Sequence, residues 1–247
     1  MPQASGTRKS PVIPLLVAAV ALIAVVFTFV ASRDDGDEES ATTTTGNDST
    51  QTETSPADDG WAQLVRRDDG DPMALGEVDA PVVMVSYSEF QCPFCGKYAR
   101  DTEPTLVDKY VDTGMLRIEW RDFPYLGPES LTAAQAGRAA AAQDHFWEFN
   151  RAMYDDQAPP NSGTLTEDYL VSVAEDLGLD TGQFRRDMIA PDATEAIKRD
   201  FAEGQAIGVT GTPAFVINGM FIIGAQPTEV FEQAIEEAAN QANAGVS

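Results

Sequence analysis

Cys92 and Cys95 are the only cysteines in the 247 residues, and they stand together as Cys92-Pro93-Phe94-Cys95. At this spacing two thiols can close on each other, so one sulfur can attack a foreign disulfide and the other can resolve the mixed disulfide that forms. The reactive species is the thiolate, which is favoured where unpaired backbone N–H groups and the helix dipole converge on a helix N-terminus. A strand that ends before the motif and a helix that opens at it would place Cys92 there, exposed and acidic. Cys95, one turn in, would be buried and far less acidic. Pro93 suits the first helical position, where its missing N–H is no loss and its φ is preset. Two other chemistries compete. Zinc needs about four ligands, and beyond carboxylates only His145 is on offer, in an Ala- and aromatic-rich stretch where a cap or core role fits it. A purely structural disulfide would close too short a loop to gain much chain entropy, and a helix start is a poor place for an inert bridge.

The elements that must hold the pair can be read from hydropathy. Residues Pro81 to Tyr87 form an apolar run that predicts a buried strand, and a helix is expected from Cys92 or Pro93 to Val111. Leu116 to Trp120 reads as a second strand. A helical block follows, about residues 128–207, with segments at Leu131 to Gln143, His145 to Tyr154, Glu167 to Leu177 and Thr194 to Ile207, punctuated by Pro159-Pro160-Asn161-Ser162-Gly163. The period then changes: Ala214 to Ile217 and Met220 to Ile223 flank Asn218-Gly219, a strong hairpin signal. A last amphipathic helix is expected from Thr228 to Ala242, with Thr228 as its cap.

In front of this folded part, residues 12–31 are 20 consecutive uncharged, mostly apolar positions, about the length that spans a bilayer as helix. Arg8 and Lys9 precede them, and Asp34, Asp35, Asp37, Glu38 and Glu39 follow. The positive-inside rule then leaves residues 1–11 in the cytoplasm and everything beyond Ala31 outside. A cleaved signal peptide is the alternative, with Val30-Ala31-Ser32 as its site, although its apolar core would exceed the usual ~7 to 15 residues. Residues 32–60 are Thr, Ser, Asp, Glu and Gly with almost nothing to bury, which predicts a disordered acidic linker to a domain at 61–247. The formal net charge is −24. That excludes a binder of the nucleic-acid backbone, whose affinity rests on cationic side chains. Such acidity fits a salt-rich niche or a GC-rich genome equally well.

Ser88-Glu89-Phe90-Gln91-Cys92-Pro93-Phe94-Cys95, with Leu75-Gly76 and Ala80-Pro81-Val82 before it and Gly211-Thr212-Pro213-Ala214-Phe215 far behind, resembles the DsbA-like branch of the thioredoxin superfamily. The similarity runs from about Met73 to Ala242. It implies an α/β thioredoxin-like fold interrupted by an inserted helical domain, and thiol-disulfide exchange on extracytoplasmic proteins without a cofactor. It also implies that Pro213 is cis and that Thr212 lies against the cysteines, its backbone free to pair with an extended substrate strand. Two positions depart from the pattern. Many relatives have a buried carboxylate six residues before the first cysteine, as proton acceptor for the second; here that position is Ser86. Glu89 is the substitute candidate, with a solvated strand-end residue as the alternative. The strongly oxidising relatives often carry His where this chain has Phe94, and a phenyl ring lends no positive charge to a thiolate.

The leading function is a membrane-tethered monomeric oxidase, which passes the Cys92–Cys95 disulfide to unfolded or reduced secreted proteins and is itself reoxidised by a quinone-linked membrane partner, as the resemblance implies. An isomerase or reductase of the same fold is the alternative, since Thr before the cis proline is common among isomerase-like relatives. Those relatives dimerise through a separate N-terminal domain, for which residues 61–80 leave room for only a strand or two. From another class comes a tethered peptide-binding module or chaperone with non-catalytic cysteines.

Overall fold

The computed structural model describes residues 60–244, so the apolar stretch 12–31 and the acidic linker 32–60, but for its last residue, lie outside the described residues. Five strands form one sheet in the order β1-β3-β2-β4-β5, with β1 Ala74–Leu75, β2 Val82–Ser88, β3 Leu116–Asp122, β4 Ala214–Ile217 and β5 Met220–Ile223. β2 and β3 are parallel and the other pairs antiparallel. Every residue of β2 is buried, as the unbroken apolar run requires of a strand covered on both faces. Its alternation divides the core: Val82 and Met84 join the larger cluster with Leu116, Ile118, Phe215 and Phe231, while Val83, Val85 and Tyr87 join a smaller one with Phe123, Val209 and Val216.

The expected hairpin turns through Asn218 and Gly219 at φ 40° and 94°. Both are left-handed, the conformation a two-residue turn between twisted strands demands. The helix expected from Cys92 to Val111 is broken. It runs as α1 Pro93–Asp101, a short α2 Glu103–Leu106 and a π-helical turn Val107–Val111, because Pro104 has no N–H to continue the ladder.

The block between β3 and β4 holds α3 Pro128–Ala141, α4 Phe146–Asp155, α5 Glu167–Asp176, α6 Thr181–Met188 and α7 Pro191–Ala206, and α8 Thr228–Ala244 ends the described chain. α6 escaped the hydropathy pattern, and α7 starts three residues earlier than expected. Both have local signals: Asp180 caps α6 by accepting from Gln183 N at 2.8 Å, and Pro191 opens α7. No helix among the described residues is long and apolar enough to cross a membrane.

Beneath the small cluster lies a network of buried charges. Glu119 of β3 accepts from the backbone N–H groups of Arg66 and Arg67 at 3.0 and 2.9 Å and from the side chains of Arg117 and Arg121 at 3.1 and 2.8 Å. Asp200 of α7 takes Arg66 at 2.6 Å and Arg138 at 2.5 Å, and Arg138 also reaches Asp122 at 2.7 Å. Glu203 accepts from Tyr87, Arg121 and Arg66. The incoming chain, β3, α3 and α7 are thereby pinned to one another, and removing Glu119 or Arg121, both fully buried, would strand a buried charge, at roughly 3 to 5 kcal/mol.

One buried carboxylate stands apart from this network. Glu103, at the start of α2, is pushed up to about 7 by burial, against the opposing pull of Arg151. A carboxyl raised in the folded state adds stability below its unfolded value near 4.5, and that stability is lost as pH rises through 7. Glu103→Gln should therefore unfold at higher denaturant than wild type at pH 8, by up to ~3 kcal/mol, and match it near pH 4. Parallel urea titrations check this, and an equal shift at both pH values would refute it.

Candidate active site

β2 delivers the chain to Ser88, and a four-residue turn, closed by Cys92 N donating to Glu89 O at 3.3 Å, leads into α1. Cys92 is the N-cap of α1 and Pro93 its first residue. The helical block holds this turn from outside. Gln157 donates through Nε2 to the carbonyls of Phe90 and Cys92, both at 2.9 Å. Buried Gln91 donates to Ser130 Oγ at 2.7 Å and accepts from Asn161 N at 2.6 Å. Phe90 stacks on Trp120 with centroids 5.5 Å apart and meets Phe149 edge-on, while the absence of a side chain at Gly137 lets α3 close on its ring.

The Thr212–Pro213 peptide bond is cis and the loop that carries it lies over the cysteines. Cys92 Sγ donates to the Thr212 carbonyl at 3.2 Å. This loop corrects one expectation: Cys92 is only 2% exposed, because Thr212 covers the sulfur that the helix start alone would leave open. Phe94, by contrast, is 62% exposed. Both cysteines are free thiols. They are nonetheless unlike. The Cys92 thiol is drawn down to about 6, chiefly by the hydrogen bond from Cys95, with Thr212 and the backbone N–H groups of Cys95 and Phe94 adding to it against burial. Burial and the neighbouring Cys92 charge push Cys95 well up.

Glu89 is buried, not solvated, and burial lifts its carboxyl to about 7. One oxygen accepts from Gln91 N at 3.2 Å, and the other, Oε1, has no hydrogen-bond partner. Tyr154 donates to the Glu89 carbonyl at 3.1 Å, so the 3.2 Å contact between Ser88 Oγ and Tyr154 Oη has the serine as donor. Ser86 lies in mid-strand, paired with Trp120 and Phe215, and brings no carboxylate to the cysteines. His145 is the N-cap of α4, its Nδ1 2.6 Å from the Gln143 carbonyl. Among the described residues no cluster of His, Cys, Asp or Glu is placed to hold a metal ion. The structure thus brings together Glu89, Cys92, Pro93, Phe94, Cys95, Thr212 and Pro213. Sequence reasoning missed Gln91, Ser130, Tyr154 and Gln157; Gln91 lay inside the octapeptide, but nothing local marked the other three.

Residues 68–237 match the thioredoxin family. The probable disulfide bond formation protein D of Bacillus cereus is 33% identical over 150 residues, which cover 59% of this chain and 69% of that protein. A thioredoxin-like oxidoreductase from Silicibacter pomeroyi superposes with a TM-score of 0.60 at 31% identity, over 70% of this chain and 94% of the other. α-DsbA1 of Wolbachia pipientis shares the fold, with a TM-score of 0.63 at 24% identity over 71% and 94% of the two chains.

The difference between the sulfurs is directly measurable. Thiolate absorbance of the reduced protein should rise with a midpoint near pH 6, and alkylation at neutral pH should mark Cys92 well before Cys95. Faster labelling of Cys95 would reverse the assignment.

Proposed function

Since this chain belongs to the thioredoxin superfamily, as a DsbA-like thiol-disulfide oxidoreductase, we propose that it works outside the cytoplasm as a monomeric oxidase, passing its Cys92–Cys95 disulfide to reduced, unfolded secreted or cell-envelope proteins. The observation that carries this reading is the seat of Cys92 at the start of α1, where its thiol is drawn down to about 6 beside a buried, hard-to-ionise Cys95. A thiolate stabilised in this way stabilises the reduced protein, and the disulfide is correspondingly the stronger oxidant.

The exchange proceeds in two displacements. A substrate thiolate attacks Cys92 Sγ of the disulfide, the Cys92–Cys95 bond breaks, and Cys95 leaves with the electron pair and takes up a proton. Glu89, protonated near neutrality and with Oε1 unpartnered, is the group assigned to supply it. A second substrate thiolate then attacks the substrate sulfur of the mixed disulfide and expels Cys92 as the thiolate. The substrate has lost two electrons and the Cys pair has gained them, to be removed by a membrane reoxidant, for which a quinone-linked protein is the natural class. During both steps the backbone at Thr212 would hold the substrate as a short added strand, which makes binding largely independent of side chains. A chaperone would have no use for two sulfurs held so far apart in acidity.

Cys92→Ser should abolish oxidation of reduced ribonuclease, and Cys95→Ser should accumulate disulfide-linked complexes through Cys92. Glu89→Gln should keep the pair reactive but slow the first displacement about tenfold, of the order expected for losing general-acid assistance in part. An active Cys92→Ser protein would end the proposal. Insulin reduction faster than ribonuclease oxidation would favour the reductase instead.

The proposed location rests on residues 12–31 as a retained anchor. The protein should stay with membranes after a carbonate wash, and a reporter fused after Ser247 should be active only outside the cytoplasm. A soluble mature form starting near Arg33 would show a cleaved signal instead.

A further inference from the structure

Tyr125 lies in the loop after β3, and β3 runs parallel to β2 with Asp122 beside Ser88, so this loop emerges at the same end of the sheet as Cys92. Its ring packs on Phe123 at 6.1 Å and remains 42% exposed. Its hydroxyl reaches the cis-proline loop beside Gly211, next to Thr212, without a hydrogen bond to the Thr212 hydroxyl. The hydroxyl of Thr212 is itself an anomaly: it is buried, faces both sulfurs, and has no hydrogen-bond partner. An orphaned polar atom in an interior costs about 1 to 3 kcal/mol, so such groups are retained where another state of the protein uses them.

The missing partner is supplied by the thiolate form. While Cys92 is protonated, its S–H donates to the Thr212 carbonyl. Once the proton leaves, that bond is gone and the carbonyl oxygen faces an anion. The remaining donor on Thr212 toward this sulfur is its hydroxyl, which must turn its hydrogen to the thiolate and thereby offer its lone pairs to Tyr125. A phenol that donates into a hydroxyl which in turn donates to an anion forms a chain whose members polarise one another. We propose that Tyr125 is a positioning residue for the Cys92 thiolate, completing through the Thr212 hydroxyl a hydrogen-bond chain that forms only in the reduced, ionised protein. This rests on Cys92 being the nucleophile. Cys95, Glu89 and Tyr154 also act on the same sulfur or phenol, and Glu89 titrates in the same range, so the comparison is made both with Glu89 intact and in a Glu89→Gln background.

The test uses the full-length reduced protein and its Tyr125→Phe, Thr212→Val and double variants. The readouts are thiolate absorbance against pH and the redox equilibrium with glutathione, with melting temperature recorded for each. Tyr125→Phe keeps the ring on Phe123 and should melt as wild type, yet lower the Cys92 ionisation constant about threefold and shift the glutathione equilibrium toward the disulfide by a similar factor, as expected for one neutral hydrogen bond. In the Thr212→Val background the same substitution should do nothing. A Tyr125→Phe protein that titrates as wild type overturns the proposal, and so does an effect that survives Thr212→Val. If Cys92 of the wild type titrates as an ordinary thiol, both this inference and the nucleophile assignment fail; if it titrates near 6 but ignores Tyr125, only this inference does.

Discussion

The seat of Cys92 is the constraint from which the site follows. One sulfur stands where strand gives way to helix, among N–H groups that no carbonyl satisfies, and the other stands three residues on, where the helix has closed and the surroundings are apolar. The two atoms are chemically identical, and their separation in acidity comes from where they stand, Cys92 among hydrogen-bond donors and Cys95 in the buried interior. Phe94 brings no positive charge to the thiolate. Its stabilisation is built from hydrogen bonds from Cys95, Thr212 and the start of α1.

Such a seat is only as good as the turn that forms it, and the helical block holds that turn. Gln157 and Gln91 tie residues 90–92 to the segments that follow α4 and open α3, and Phe90 is packed among Trp120, Phe149 and Tyr154. The block is therefore part of the active-site framework, and its loss would loosen the geometry around Cys92 before it touched the sheet. The cis-proline loop does the same from the opposite side.

How much of this could be read from sequence depended on the range of the interaction responsible. β2 and the hairpin at Asn218-Gly219 were legible because burial on both faces and left-handed φ values leave local marks. The Cys pair and Thr212-Pro213 were legible as a resemblance. The break at Thr102 was legible in principle, since Pro104 announces it, and so was α6, through Asp180 and Gln183. What could not be read was set by contacts between distant segments. Glu89 is buried because Phe90 and Gln91, the two residues after it, are anchored to the helical block, and Cys92 is covered because a loop 120 residues away lies over it. The same holds for the partners of Asp200, which arrive from the incoming chain, α3 and β3.

That network around Glu119 and Asp200 bears on the outside of the protein as much as on the inside. Residues 61–247 carry 13 Lys and Arg against 31 Asp and Glu. Four of those cations, Arg66, Arg117, Arg121 and Arg138, are drawn inward to neutralise four carboxylates, Glu119, Asp122, Asp200 and Glu203. With Glu89 and Glu103 buried as well, what remains for the surface is 13 − 4 = 9 cations against 31 − 6 = 25 anions, nearly three acids to each base. An envelope of that composition cannot be neutralised by its own side chains. It recruits a diffuse cloud of small cations from the medium, so that the working molecule is a polyelectrolyte whose counter-ions set how closely any other anionic surface can approach it.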